Sequence, residues 1–231
     1  MMIAGYVPNS FVDYPGKIAM VIFSPGCNMN CWYCHNRHLI RTSDSGILYN
    51  ETAILAELEK KKDFLDAVVL SGGEPMLQTG LLDFAKAVKA LGYLVKLDTN
   101  GTDPKKLRIV IDDGLVDYVA IDIKAPFSKY ADICGRNISI DDIRESIDIL
   151  ILSNIDYEFR TTFSPDLDKE DLLEIAKSIH GAKRFALQQY RMPEHMMLEH
   201  TIGREPHSPS YVRECADAVA GRFAELRVLG L

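Results

Sequence analysis

The chain is poor in long apolar runs. The longest, residues 18–23, spans six positions, against the roughly 20 that a membrane-spanning helix needs. It also lacks an excess of positive charge. Lys and Arg number 26 against 33 Asp and Glu, a formal charge of −7. That balance argues against a non-specific nucleic-acid binder or membrane-surface binder. The opening Met1-Met2-Ile3-Ala4-Gly5 has neither a basic nor an apolar leader segment, so no signal peptide is expected and the cytoplasm is the expected compartment. Low-complexity tracts, internal repeats and composition shifts are missing too. One domain over residues 1–231 is therefore expected, with a core at about 15–191 and a C-terminal loop and helix at 192–231. A disulfide framework is also excluded. There are five cysteines, an odd number, and three fall within eight residues. In a reducing compartment, that clustering points to a metal or redox site.

Short β-branched segments alternate with amphipathic ones. Strands are expected at 18–23, 67–70, 94–97, 119–123, 157–163 and 185–189. Helices are expected at 51–62, 81–91, 104–112, 141–152, 169–179 and 208–226, the last opened by a Ser-Pro cap. Repeated strand–helix alternation argues for an α/β protein with a parallel sheet. A complete eight-unit barrel usually needs about 250 residues. Six units in 231 residues predict an incomplete (β/α)6 TIM-like barrel, with a doubly wound open sheet as the alternative. Residues 192–209, the least periodic, read as a long surface loop.

In such folds, chemistry gathers where strands end. Strand one leads to Ser24-Pro25-Gly26-Cys27, and strand two to Ser71-Gly72-Gly73-Glu74-Pro75. Strand three leads to Asp98-Thr99-Asn100-Gly101, and strand four to Asp122-Ile123-Lys124. Strand five carries Arg160, and strand six ends in Gln188-Gln189-Tyr190-Arg191.

Cys27, Cys31 and Cys34 follow a C-x3-C-x2-C spacing. Three thiolates on one compact loop can grip three corners of an iron–sulfur cube, whereas ordinary clusters take four. The fourth iron would stay open to a ligand. The competing reading is tetrahedral Cys3His zinc with His35 or His38. The lone Cys134 and Cys215 read as buried thiols.

This spacing, with Tyr33 just before the last cysteine, resembles the signature of the radical S-adenosylmethionine (SAM) superfamily. Val12-Asp13-Tyr14-Pro15-Gly16 and Cys34-His35-Asn36 resemble the glycyl-radical-enzyme activating enzymes within it, nearest the activating protein of anaerobic ribonucleoside-triphosphate reductase. The resemblance runs from about Ser10 to Arg191. It implies a [4Fe–4S] cluster on Cys27, Cys31 and Cys34, with SAM on the open iron. It also implies reductive cleavage to methionine and a 5′-deoxyadenosyl radical, and hydrogen abstraction from a glycine of a partner glycyl radical enzyme.

Residue by residue, the resemblance places Gly72, Gly73 and Glu74 at the SAM amino group, with a turn as the plain alternative. It places Asp98 and Thr99 beside SAM, holding a cation; the same stretch also reads as an Asn-Gly turn with Asp103 as helix cap. Lys124 would neutralise the SAM carboxylate, as a compact point charge can. Arg160, inside an apolar strand, needs an anion, either that carboxylate or Asp122. Tyr33 would lie near the adenine or simply pack, and Trp32 would shield the cluster. His35 and Asn36 would hydrogen-bond cluster sulfurs. The family's Pro-Tyr-His at the end of strand six reads Gln189-Tyr190-Arg191 here, so Gln188 or Arg191 would take the ribose contact.

Only 16 residues, none of them cysteine, separate Cys34 from Glu51. That leaves no room for an inserted ferredoxin-like module, and the electron would come from an external flavodoxin or ferredoxin. Lys60-Lys61-Lys62 reads as a solvated helix end, or as a docking patch for an acidic carrier. Two other readings remain: a zinc-stabilised interaction module without activity, and radical SAM chemistry on a small molecule or RNA.

Overall fold

The computed structural model describes residues 1–42, 46, 48–192 and 203–231. Its centre is one eight-stranded sheet in the order β1 to β8. The strands are β1 (Gly5–Tyr14), β2 (Lys17–Ser24), β3 (Ala67–Gly72), β4 (Leu94–Thr99), β5 (Tyr118–Asp122), β6 (Asp156–Phe163), β7 (Arg184–Gln189) and β8 (Glu225–Leu229). From β2 onward every pairing is parallel, while β1 is antiparallel to β2 across the Pro15-Gly16 turn. The sheet is curled and open, and the pairing order ends at β1 and β8. The incomplete barrel expected from the alternation is the observed fold.

The intervening helices are α1 (Glu51–Lys60), α2 (Leu81–Ala90), α3 (Pro104–Asp112), α4 (Tyr130–Cys134), α5 (Ile140–Leu152), α6 (Lys169–Ser178) and α7 (Pro209–Val219). Five of them, α1, α3, α5, α6 and α7, start at short polar side chains that satisfy amides no helical carbonyl reaches, whereas α2 and α4 start at Gly80 and Lys129 without a side-chain cap. Asn50, Asp103, Ser139, Asp168 and Ser208 each accept a backbone N–H of the first turn.

Alternation along the strands builds two unequal faces. Met20, Ile22, Val68, Leu70, Val95, Leu97, Val119, Ile121 and Phe159 face the helices in the main core. The opposite parity lines the barrel interior. There Ala19, Val21, Ala67, Val69, Tyr14 and Tyr118 form a small apolar cluster on one side. Lys96, Asp98, Asp122, Glu158 and Arg160 hold the other side.

The chain ends differently from the sequence expectation. The helix predicted over 208–226 stops at Val219, and β8 follows it and pairs with β7. Gly221 and the non-helical Phe223 break the helical pattern there. β1 was also not anticipated, because five of its ten residues are exposed and Pro8 interrupts its pattern. The surface loop expected at 192–209 lies largely outside the described residues.

Candidate functional site

The carboxyl ends of the parallel strands surround a cavity of about 390 Å³. All three clustered cysteines line it, with Tyr33, His35, Asn36, Gly72, Gly73, Glu74, Asp98, Thr99, Lys124, Arg160 and Gln188. Of the residues singled out in the sequence as cofactor contacts, only Arg191 is absent from this wall. Its guanidinium turns to the carbonyl of Gly230 at 3.1 Å. Sequence reasoning passed over Asp13, Phe23, Met29, Ser71, Asn100 and Thr162, which also line the cavity. Phe23, Ser71 and Thr162 share the inward parity of their strands, and that was the signal available.

The cysteine loop is fastened to the sheet by backbone. Gly26 N–H donates to Leu39 O at 2.7 Å and Cys27 N–H to Ile40 O at 3.0 Å. Gly73 N–H donates to Ser24 O at 2.8 Å and Glu74 N–H to Gly26 O at 2.7 Å. The two glycines serve this approach of chain to chain. A Cβ on Gly73 would sit 2.1 Å from Gly26 O, and one on Gly72, whose φ is +122°, 2.3 Å from Ser24 N. Their smallness is spent on the loop's own backbone, not on a ligand.

Glu74 is also turned into the wall. It is 1% exposed. Its Oε1 accepts from Met76 N–H at 3.0 Å and Thr99 O–H at 2.7 Å, and its Oε2 from Asn100 N–H at 2.7 Å. Burial pushes its carboxyl up to about 7, with the three donors opposing. Glu74 and Thr99 thus bind each other and join the ends of β3 and β4. Asn100 continues the tie, donating to Asn28 Oδ1 at 2.8 Å, while Asn28 donates to Thr102 Oγ1 at 2.7 Å.

The opposite wall is charged. Arg160 Nε lies 2.6 Å from Asp122 Oδ1, and Lys124 Nζ 2.9 Å from Asp122 Oδ2. Arg160 also reaches Asp98 Oδ2 at 3.6 Å. Burial alone would raise Asp122, but the two cations outweigh it and hold the carboxylate ionised well below its ordinary range. Asp122 outweighs the burial of Lys124 in the same way and keeps it charged. The cavity therefore faces a fixed ammonium and guanidinium across from three thiols.

Those thiols are in unlike settings. Burial pushes Cys27 up to about 11 and raises Cys34. A hydrogen bond from the buried Cys134 brings Cys31 down to about 7. Among the described residues, no group of three or more His, Cys, Asp and Glu side chains is arranged to hold a single metal ion.

A profile of the radical SAM superfamily matches residues 21–179. The chain belongs to the radical SAM superfamily. Among curated proteins, it is 39% identical over 197 residues to "Putative glycyl-radical enzyme activating enzyme MJ1227" of Methanocaldococcus jannaschii, covering 82% of this chain and 80% of that protein. A second protein of that organism, "Putative glycyl-radical enzyme activating enzyme MJ1632", is 30% identical over 174 residues, covering 73% and 64%. Among solved structures, Streptococcus suis SuiB bound to S-adenosylmethionine superposes with a TM-score of 0.67 at 15% identity, over 90% of this chain and 51% of that one. The chain thus spans about half of SuiB. A domain of pyruvate-formate lyase-activating enzyme from Bacteroides vulgatus gives a TM-score of 0.58 at 16% identity, over 71% of this chain and 99% of that one. At these identities the structures speak for the fold alone. Among the described residues, no helix is long and apolar enough to cross a membrane.

Radical SAM enzymes work with a [4Fe–4S] cluster and SAM, and this radical SAM site fits both. Its donor set is three unbridged cysteines on one loop, all opening on one cavity, and thiolates are the usual cluster ligands. The Tyr33 hydroxyl, in the same wall, is buried without a hydrogen-bond partner. Unpaired buried polar groups are rare and call for a missing partner.

Proposed function

We propose that this radical SAM enzyme activates a glycyl radical enzyme, with anaerobic ribonucleotide reductase as the favoured target. The observation that carries the reading is the pairing, across one cavity, of the Cys27–Cys31–Cys34 loop with the Lys124–Asp122–Arg160 wall. The likeness to the two Methanocaldococcus jannaschii proteins supports the activase assignment within the superfamily.

When bound, the reduced cluster supplies one electron that splits the SAM sulfonium, yielding methionine and a 5′-deoxyadenosyl radical that takes hydrogen from a glycine Cα of the partner. The chain's residues provide the setting. Cys27, Cys31 and Cys34 would hold three cluster corners and leave the fourth for the methionyl end of SAM. Lys124 would meet the SAM carboxylate, with its ammonium kept charged and aimed by Asp122. Glu74 and Thr99 would act one step back, by fixing the Gly72–Gly73 turn against the cysteine loop. Gln188 is better placed than Arg191 for the ribose, since it alone of the two lines the cavity. The apolar interior of β2 and β3 would exclude water from the radical. The open sheet edge between β1 and β8 suits a glycine-bearing loop of a macromolecule.

The test is anaerobic reconstitution followed by electron paramagnetic resonance with SAM and candidate partners. About four irons per chain are expected, with SAM cleaved to methionine and 5′-deoxyadenosine and a glycyl doublet on the reductase. Each of Cys27→Ala, Cys31→Ala and Cys34→Ala should abolish cleavage. Zinc at one equivalent, or no cluster absorbance, would defeat the reading. Cleavage without any glycyl signal would move the substrate to another class.

A further inference from the structure

Residues 14–43 contain no aspartate or glutamate, in a chain whose acids outnumber its bases. The cysteine loop lies inside this acid-free stretch, and the rest of its surroundings add positive charge. Arg37 donates to Cys31 O at 3.1 Å and to Asn30 Oδ1 at 3.2 Å, and among the described residues no carboxylate pairs with it. His38 and Arg41 follow, both exposed. Arg136 is exposed beside Gly135, whose Cβ position would lie 2.9 Å from Asn30 O. The exposed Arg191 offers its backbone to the His35 ring. The Arg204 guanidinium lies 4.2 Å from the centre of the Trp32 ring and pairs with Asp166 at 3.5 Å. Among the described residues, Arg37, Arg136 and Arg191 form no ion pair. Among the described residues, Asp132 and Glu205 lie close in the chain to these arginines, and Asp166 pairs with one of them. The lysines at the end of α1 differ. Lys61 pairs with Glu57 at 3.1 Å and Lys62 with Glu59 at 2.8 Å, so these two lysines, just past α1, are paired with carboxylates of that helix.

We propose that this arginine collar on the outer side of the cysteine loop is the docking surface for an acidic one-electron carrier protein, with Arg136 at its exposed edge. The inference rests on the activase reading above. The cavity side of the loop is reserved for SAM and the partner's glycine, so an electron has to arrive from the other side. A carrier seated on the collar would stand closest to the thiols without crossing the substrate. The transfer is balanced: the carrier loses one electron, the cluster gains one, and no bond forms or breaks. Complementary charge raises the encounter rate of such short-lived complexes and makes it depend on salt.

The experiment measures cluster reduction in the reconstituted full chain by photoreduced flavodoxin, and separately by photoreduced 5-deazaflavin, which needs no protein docking. Arg136→Glu should slow reduction by flavodoxin about tenfold at low ionic strength. The wild-type rate should fall steeply between about 20 and 200 mM salt. Lys60→Glu, a charge reversal on α1, should change neither rate, and Arg136→Glu should leave the deazaflavin rate intact. Equal flavodoxin rates for Arg136→Glu and wild type overturn the proposal, as does an equal loss in Lys60→Glu or a wild-type rate indifferent to salt. A loss of deazaflavin reduction in Arg136→Glu would place that arginine in the loop's fold and overturn its docking role. A wild-type chain that assembles no cluster sinks the activase reading instead. A cluster that deazaflavin reduces and flavodoxin does not sinks only the docking surface.

Discussion

Lys96 and Lys124 stand at two levels of the same barrel interior. Lys96, 2% exposed, donates to Asp13 O at 2.7 Å and is ion-paired with Asp98 Oδ1 at 2.8 Å, with Glu158 Oε1 at 4.0 Å. Lys124 meets one carboxylate, Asp122. Both lysines belong to one alternating chain of charge: Arg227, Glu158, Lys96, Asp98, Arg160, Asp122, Lys124. The four cations outnumber the three anions, and the ladder ends on Lys124 in the cavity. At the lower level every charge is shared with neighbours, and the ladder fills the barrel. At the upper level, the terminal cation has capacity for a further anion. One set of residue types therefore builds a plug below and a binding wall above.

The largest effect should come from the backbone of the upper level. Gly73→Ala places a methyl group 2.1 Å from Gly26 O, so the β3 turn or the cysteine loop must move. Loss of cluster assembly and about 3–5 kcal/mol of stability are expected, as for other severe steric insertions. Gly16, in the lower β1–β2 turn, has a φ of +69° but nothing within 4 Å of its Cβ position, so Gly16→Ala should cost only about 1 kcal/mol of local strain. Iron content and urea unfolding of both variants compare the two levels directly. Similar losses would erase the contrast. Next comes Lys96→Met, which keeps the chain's bulk but leaves Asp98 and Glu158 short of a cation. Breaking a buried pair in this way costs about 3–5 kcal/mol. Lys124→Met leaves Asp122 paired with Arg160 at 2.6 Å, so it should cost less than Lys96→Met in unfolding, on the order of 1–2 kcal/mol, yet weaken SAM binding by at least about tenfold, the worth of one charge-assisted contact. Calorimetric titration and denaturation of the pair would invert the picture if Lys124 proved the more stabilising.

Glu74 gives the contrast a pH dependence. Its carboxyl is raised by burial to about 7, so the neutral form favours the fold. That contribution is fully present below the ordinary carboxylate value near 4.5 and is lost as pH rises through about 7. The SAM-free protein should lose up to about 3 kcal/mol between pH 5 and pH 8 from this group, at about 1.4 kcal/mol per unit. Glu74→Gln, which cannot ionise, should flatten that part of the profile. A Gln variant with an unchanged slope would assign the dependence elsewhere.

Much of this was legible in the residues. The C-x3-C-x2-C spacing marked the cysteine loop, and strand–helix alternation marked the barrel and the six parallel strands that carry the site. The buried arginine of β6 required an anion, and Asp122 is there. What stayed hidden has physical reasons. β4 and β6 alternate apolar and charged residues, Leu-Val-Lys-Leu-Asp-Thr and Asp-Tyr-Glu-Phe-Arg-Thr. That pattern is shared by strands with one face in water. Only closure of the sheet turns the charged face inward, and closure depends on residues far apart in the chain. The roles of Gly73 and Glu74 were hidden for the same reason. Both segments look like ligand contacts until the cysteine loop, some 47 positions earlier, is seen packed against them. β8 was obscured by the apolar residues it shares with a helical pattern.

The smallest expected effect lies at the lower rim. Arg184 pairs with Asp156 at 2.7 Å and with Glu225 at 3.2 Å, and so bridges β6, β7 and β8 near the barrel floor. Its side chain is 34% exposed and those of its partners 66% and 49%. Water screens each pair, and ordering three long side chains costs entropy. The expected loss for Arg184→Ala is therefore below about 1 kcal/mol, shrinking further in salt. The geometry by itself would suggest more, because two acids converge on one guanidinium at the edge strand that β8 adds to the sheet. Urea unfolding at low and high ionic strength separates the two views. A loss near 2 kcal/mol that survives salt would mean that the rim acts as part of the buried ladder through Glu225 and Arg227, which lie 3.4 Å apart. A loss that disappears in salt would confine the plug to Lys96 and Glu158, one layer further in.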